Sequence, residues 1–107
     1  MERILIVDSD RAHSTEVEQV LRCAGYETKV CTEASDAVQI LKDDSFDVVV
    51  VVPRSKAMLH DDLMSLCPKM KYLNLQPDLL FLLRWKPSGP AERLLGDRWN
   101  VQVQYER

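Results

Sequence analysis

Apolar positions along this chain follow two rhythms, one continuous and one helical. Residues 4–7 (Ile-Leu-Ile-Val) form an unbroken apolar run. Such a run predicts a strand covered on both faces, as in the middle of a parallel sheet. Asp8, Ser9 and Asp10 follow it, and short polar side chains of this kind cap helices. From residue 11 to 24 the apolar positions Val17, Val20, Leu21 and Ala24 recur at helical spacing, which predicts one inward face. Gly25 then stands where a helix end wants a left-handed residue. A second strand is expected over 26–31. A second helix is expected over 35–44, with Ser35 as its cap and Ala37, Val38 and Leu41 inward. Val48–Val52 is a run of five valines, the strongest strand in the chain, and Pro53 ends it because proline cannot donate to a ladder.

The second half is read in the same way. A polar loop leads to an amphipathic helix over 61–67, carried by Leu63, Met64, Leu66 and Cys67, which Pro68 is expected to break or kink. Residues 79–83 form another buried-strand run. Ser88, Gly89 and Pro90 open a helix, with serine as cap and proline in the first turn, that runs to about Leu95 and stops at Gly96. Residues 100–105 alternate, with Val101, Val103 and Tyr105 on one face and Gln102 and Gln104 on the other, which predicts a half-buried strand. Strands alternating with helices in the order βαβαβαβαβ predict an α/β fold with a parallel sheet and right-handed crossovers. With no repeat, linker or low-complexity segment, 1–107 reads as a single domain.

Composition narrows the function classes. The 107 residues are 46% hydrophobic and 29% charged, the balance of a folded globule rather than a disordered chain. A net charge of −3 makes a poor match to nucleic acid. Lys69, Lys71, Arg84 and Lys86, interleaved with Tyr72 and Trp85, therefore read as a solvated surface. No run approaches the ~18 apolar residues of a membrane span, and the opening Met1, Glu2, Arg3 lacks the pattern of a secretory signal. Cys23, Cys31 and Cys67 are odd in number with no C-x-x-C spacing, which reads as reduced structural thiols and a cytoplasmic location. His13 and His60 form no metal pattern, and with His13 on the first helix and His60 in a loop no Ser/His/Asp set is suggested. Phosphate-cradling glycine motifs are absent and no cofactor is expected.

Over residues 3–52, the segments ILIVDSD and GYETKVCTEASDAVQILKDDSFDVVVVV, joined by a helix, resemble the receiver domains of bacterial two-component response regulators, the CheY-like family. The resemblance implies a flavodoxin-like, doubly wound parallel sheet of five strands in the order 2-1-3-4-5. In the family an acidic pair at the end of the first strand binds Mg²⁺, and an aspartate at the end of the third accepts phosphate. A Ser or Thr ends the fourth strand, and a Lys-Pro follows the fifth.

Two registers are open after residue 68. If Lys86-Pro87 is the family's Lys-Pro, residues 72–75 become strand four. Only Gln76, Pro77 and Asp78 would then join two parallel strands, where about a dozen residues are needed. If instead PDLLFLL is strand four, residues 90–95 are helix four and NVQVQY is strand five, the spacings fit throughout and the fifth helix is lacking. The polar glutamine face agrees with the second register, which is the one expected.

The resemblance puts the phosphoacceptor position on Val52, which has no nucleophile. Asp47 lies at the other end of that strand, about 16 Å away at ~3.3 Å per residue, and reads as a solvated strand-start residue. Asp8 matches the first acid of the metal pair, Ser9 stands where the second is expected, and Asp10 is one further on. With one matched carboxylate no metal is expected. Asp8 and Asp10 are the weak candidates and are read as caps of the first helix. Arg84 falls at the Ser/Thr position and Glu106 or Arg107 near the lysine position. Arg84 is thus expected to pair with Asp8 or Asp10 and fill a vestigial pocket made of Asp8, Ser9, Asp10, Val52 and Arg84.

The implied function is that of a pseudo-receiver: not an enzyme, independent of phosphorylation, and a protein-interaction module in bacterial signal transduction. The expected partner is another protein or a second copy, docked through strand five, with Trp85, Trp99, Val101, Val103 and Tyr105 as interface candidates. Neither nucleic acid nor membrane is expected as a partner. The alternatives are a receiver phosphorylated on a displaced aspartate (Asp8 or Asp10) with Mg²⁺, and a flavin or nucleotide binder in the crevice at the strand carboxyl ends.

Overall fold

The apolar runs pair side by side in one parallel sheet. The structure, a computed structural model, describes residues 2–83, Trp85 and the strand over 101–105. Its elements are β1 (Arg3–Asp8), α1 (Arg11–Cys23), β2 (Glu27–Cys31), α2 (Ala34–Asp43), β3 (Val48–Val52), α3 (Lys56–Tyr72), β4 (Asp78–Leu83) and β5 (Val101–Tyr105). The strand order is β2-β1-β3-β4-β5, the flavodoxin-like order that the resemblance implied, and every pairing is parallel. The second register holds. Tyr72 ends α3 rather than starting a strand, and Leu79–Leu83 pairs in register with Val101–Tyr105. The predicted helix over 90–95 and any element after Tyr105 lie outside the described residues.

Strand periodicity divides the core in two. Odd positions (Leu5, Val7, Val49, Val51, Leu79, Phe81, Leu83) face α2 and α3 in the larger cluster. Even positions (Ile4, Ile6, Val50, Val52) face α1, where Val17 and Leu21 cover them. Leu5, Ile6, Val49, Val51 and Phe81 are completely buried. Each such side chain contributes roughly 1.5–3 kcal/mol, so the central strands dominate stability. At the amino-terminal edge of the sheet, the Arg3 guanidinium donates to Asp44 and to the Ser45 carbonyl and lies over the Phe46 ring, 4.6 Å from its centroid. Asp44 is held down to about 2 by the hydrogen bond from Arg3.

Several local expectations are corrected. Val20 is 69% exposed. The inward stripe of α1 runs through Ser14, Val17 and Leu21, and Val20 falls outside it, as does the exposed C-cap Ala24. Ser14 tolerates burial because its hydroxyl donates to the Arg11 carbonyl (3.1 Å). Gly25 does take the left-handed region (φ +96°). In α2 the N-cap is Glu33, without a side-chain bond, and Ser35 lies inside the first turn, while Ala37, Val38 and Leu41 are buried as expected. α3 is much longer than 61–67. Ser55 caps it, accepting from the Met58 N–H (3.1 Å), which places His60 on a helix rather than in a loop. Pro68 does not end α3. It sits on the exposed side, where water can satisfy the carbonyl that its missing N–H leaves unpaired.

Candidate functional site

The carboxyl ends of β1 and β3 place the key residues side by side. Asp8 and Val52 are direct parallel partners, the last pair of the β1–β3 ladder. Both belong to the even positions facing α1. Asp8 is 2% exposed and Val52 3% exposed. The position that the resemblance assigns to the phosphoacceptor is therefore a methyl-lined spot in the smaller core cluster, followed by a buried proline, Pro53.

The Asp8 carboxylate is committed on both oxygens. Oδ1 accepts the Asp10 backbone N–H at 2.9 Å. Oδ2 lies 2.5 Å from His13 Nδ1, whose ring is itself nearly buried. A carboxylate can only accept, so Nδ1 is the donor of that pair. Asp10 is the N-cap of α1, with Oδ1 accepting the N–H groups of Ala12 (3.1 Å) and His13 (3.2 Å). Its other oxygen, Oδ2, lies 3.7 Å from the Arg54 guanidinium in the loop after β3. Ser9 is exposed between the two acids.

His13 and Arg54 are the residues that sequence reasoning missed. A signal for His13 was present. With Asp10 as N-cap, His13 is the third residue of the helix, whose side chain reaches back over the cap. The expected contact of Arg84 with Asp8 or Asp10 lies outside the described residues, and so does Trp99. Among the described residues, His13 lies on Asp8 and Arg54 on Asp10. Asp47 sits at the far end of β3, exposed but bonded to β1: its Oδ2 accepts the Arg3 N–H (2.8 Å) and its own N–H donates to the Arg3 carbonyl (2.9 Å).

The donor set fits Mg²⁺ poorly. That ion takes one or two carboxylates plus several free oxygens in octahedral array. Here one carboxylate is tied to an imidazole and a backbone N–H, the second caps a helix, Ser9 is neutral and the Val52 side chain offers no oxygen. Among the described residues no group of three or more His, Cys, Asp or Glu side chains could hold a metal ion.

Other titratable groups lie elsewhere. Burial pushes the Cys31 and Cys67 thiols up to about 11, which keeps them protonated and unreactive. Cys23 is exposed, and none of the three is in a disulfide. Burial, with Asp61 beside it, raises Asp62 on α3 to about 6. A cleft of about 410 Å³ opens between α2 and the end of α3, and none of its lining residues belongs to the acid pocket. Of the expected interface residues, half-buried Trp85 packs on the larger core cluster. Val101, Val103 and Tyr105 hold register positions beside Leu79, Phe81 and Leu83, and Gln102 and Gln104 hold positions beside Leu80 and Leu82. No helix among the described residues is long and apolar enough to cross a membrane.

No family model and no curated protein matches the sequence. Solved structures do match. The response regulator TrrA of Thermotoga maritima, in complex with Mg²⁺ and beryllium fluoride, superposes with a TM-score of 0.73 at 15% identity, over 100% of this chain and 88% of its own. A CheY-like receiver domain from Methanospirillum hungatei gives 0.67 at 16% identity, over 96% and 80%. TrrA in complex with the histidine kinase ThkA gives 0.70 at 16% identity, over 97% and 86%. Strand order, helix placement and these likenesses agree: the chain has the fold of a response-regulator receiver domain.

Proposed function

We propose that this chain is a receiver domain that works without phosphoryl transfer, as a cytoplasmic protein-interaction module in two-component signalling. The observation that carries this is the pairing of Asp8 with Val52 and His13. The strand end where a receiver would hold its acceptor offers only methyl groups. The neighbouring acid, which would hold the metal, is closed by an imidazole. A module of this kind binds rather than catalyses. TrrA bound to the kinase ThkA illustrates the class of partner, and a signalling protein is the partner proposed here. Strand β5, at the edge of the sheet, is the docking element first expected, together with Trp85 and Trp99. An edge strand is a ready template for pairing with another chain.

A displaced acceptor at Asp8 or Asp10 is the weaker reading. Asp8 is 2% exposed and bonded on both oxygens, and Asp10 caps α1.

The test is a two-dimensional amide NMR titration with Mg²⁺ and beryllofluoride, followed by intact-mass spectrometry after exposure to Mg²⁺ and a small acyl-phosphate donor. A flat titration and an unmodified mass are expected. Shifts clustered at Asp8, Asp10 and Val52, or a stable phosphoryl adduct, would overturn the proposal.

A further inference from the structure

Among the described residues four large hydrophobic side chains are exposed, and three of them, Met64 (59%), Tyr72 (89%) and Leu73 (36%), lie on α3 or its C-cap. The pattern on that helix is ordered. Leu59, Leu63, Leu66 and Met70 form its buried face. Met64, Pro68 and Tyr72, four residues apart each time and all exposed, run down the opposite face. Proline in a helix costs a backbone hydrogen bond, yet Pro68 adds an apolar ring at the middle of this stripe. Single exposed apolar residues need no explanation, but a continuous exposed stripe does.

Charge along the stripe is polarised. Exposed Asp61 stands at its amino-terminal end, with a 3.9 Å contact to His60, which is also exposed. Exposed Lys71 stands at its carboxyl-terminal end. A surface that is acidic at one end, basic at the other and apolar between is complementary to itself when turned around. Such self-complementarity is what a two-fold interface requires.

We propose that the outer face of α3 is a homodimer interface, with the α3 helices of two copies packed antiparallel about a two-fold axis level with Leu66. In that arrangement Met64 of each copy meets Pro68 of the other, Tyr72 reaches the partner's amino-terminal turns, and Asp61 pairs with Lys71. Each of these contacts forms twice by symmetry. α3 is 17 residues long, about 25 Å at 1.5 Å per residue. One helix pair buries less than the ~800 Å² per partner of a standard interface, so the dimer is a weak one, dissociating between about 10 µM and 1 mM. The inference deepens the interaction-module proposal by naming a partner and a surface, and it rests on that proposal for its purpose.

The experiment is sedimentation equilibrium of the full 107-residue chain from roughly 10 µM to 1 mM, with circular dichroism to verify folding. Four samples are compared with the native chain: Tyr72→Ser, Asp61→Lys, Lys71→Glu, and an equimolar mixture of the last two. The native chain is expected to dimerise, and each single variant to lose about tenfold or more in association. The mixture is expected to recover it. Of the dimers that the two variants can form, only the mixed one carries opposite charges at both ends of the interface, as the native dimer does, whereas each variant alone sets like charges against each other. A native chain monomeric at the highest concentration would overturn the proposal. So would a dimer indifferent to all three substitutions, which points to another surface such as β5, or a mixture that fails to associate. The result is separable from the pocket proposal, since association does not depend on the beryllofluoride response.

Discussion

Asp8 and His13 face each other at 2.5 Å across the turn between the first strand and the first helix, nearly out of contact with water. The pair makes a buried carboxylate tolerable. Replacing His13 with alanine leaves Asp8 with the Asp10 N–H as its remaining partner in that turn. A loss of about 2–3 kcal/mol is expected, the range for stripping one partner from a buried charged group. His13→Gln keeps a donor and recovers part of the loss. Urea unfolding followed by circular dichroism measures both. An unchanged midpoint for His13→Ala would mean that the contact contributes nothing.

Placing an acid at the end of β3 is expected to harm the protein. Val52→Asp places a second carboxylate beside Asp8 in a spot that is 3% exposed. Two like charges in a dry site cost roughly 2–4 kcal/mol at pH 7. The penalty shrinks toward pH 4 as one of the pair takes up a proton. Melting curves of native and variant chains at the two pH values should therefore converge on acidification.

Asp62 gives a pH signature of its own. Burial raises its pKa from 3.8 to about 6, so the folded chain binds this proton more tightly than the unfolded chain. Its contribution to stability is complete below about pH 4 and is lost as pH rises through about 6. Asp62→Asn removes that dependence. The variant should gain on the native protein across this window, by on the order of 2 kcal/mol at pH 7. A stability difference flat from pH 4 to 7 would contradict the assignment.

Pro68→Ala should stabilise the monomer. Alanine returns an N–H to the exposed side of α3 and relieves the ring's crowding of the preceding turn. The unfolded chain gains some freedom in return. A net gain of about 1–2 kcal/mol is expected at a concentration where the chain is monomeric, read from thermal unfolding.

Much of this architecture was legible in the residues, because its strongest signals are local. Val48–Val52 could only be a covered central strand, and Gly25 could only end a helix at that point. The Asp8-Ser9-Asp10 turn announced a cap, which Asp10 supplies. The second strand register followed from chain reach, since three residues cannot carry a parallel crossover. What escaped was set by tertiary context. Pro68 argued for a break, but proline tells nothing of which side of a helix it occupies, and the solvent side forgives it. Val20 fell within the helical rhythm yet outside the buried arc, because α1 covers the sheet with a narrow stripe. At the site, Val52 was readable as an apolar residue at the end of the central strand, which the ladder places beside Asp8. Arg54 was not readable as a neighbour of Asp10, because loop direction after β3 is decided by packing rather than by local pattern. His13 was hidden by its position on a helix, although the backward reach of a third helical residue could have disclosed it.

The capping role of Asp10 couples any ligand at this pocket to the integrity of α1. Its Oδ1 holds the first free N–H groups of the helix, an arrangement that contributes about 1 kcal/mol. A cation that drew this carboxylate away would have to uncap the helix, and its apparent affinity would fall by roughly fivefold for that reason alone. The same linkage runs the other way. Loosening the first turn of α1, by heat or by substitution near Ala12, frees the carboxylate, so the pocket's affinity for cations should rise as the helix frays.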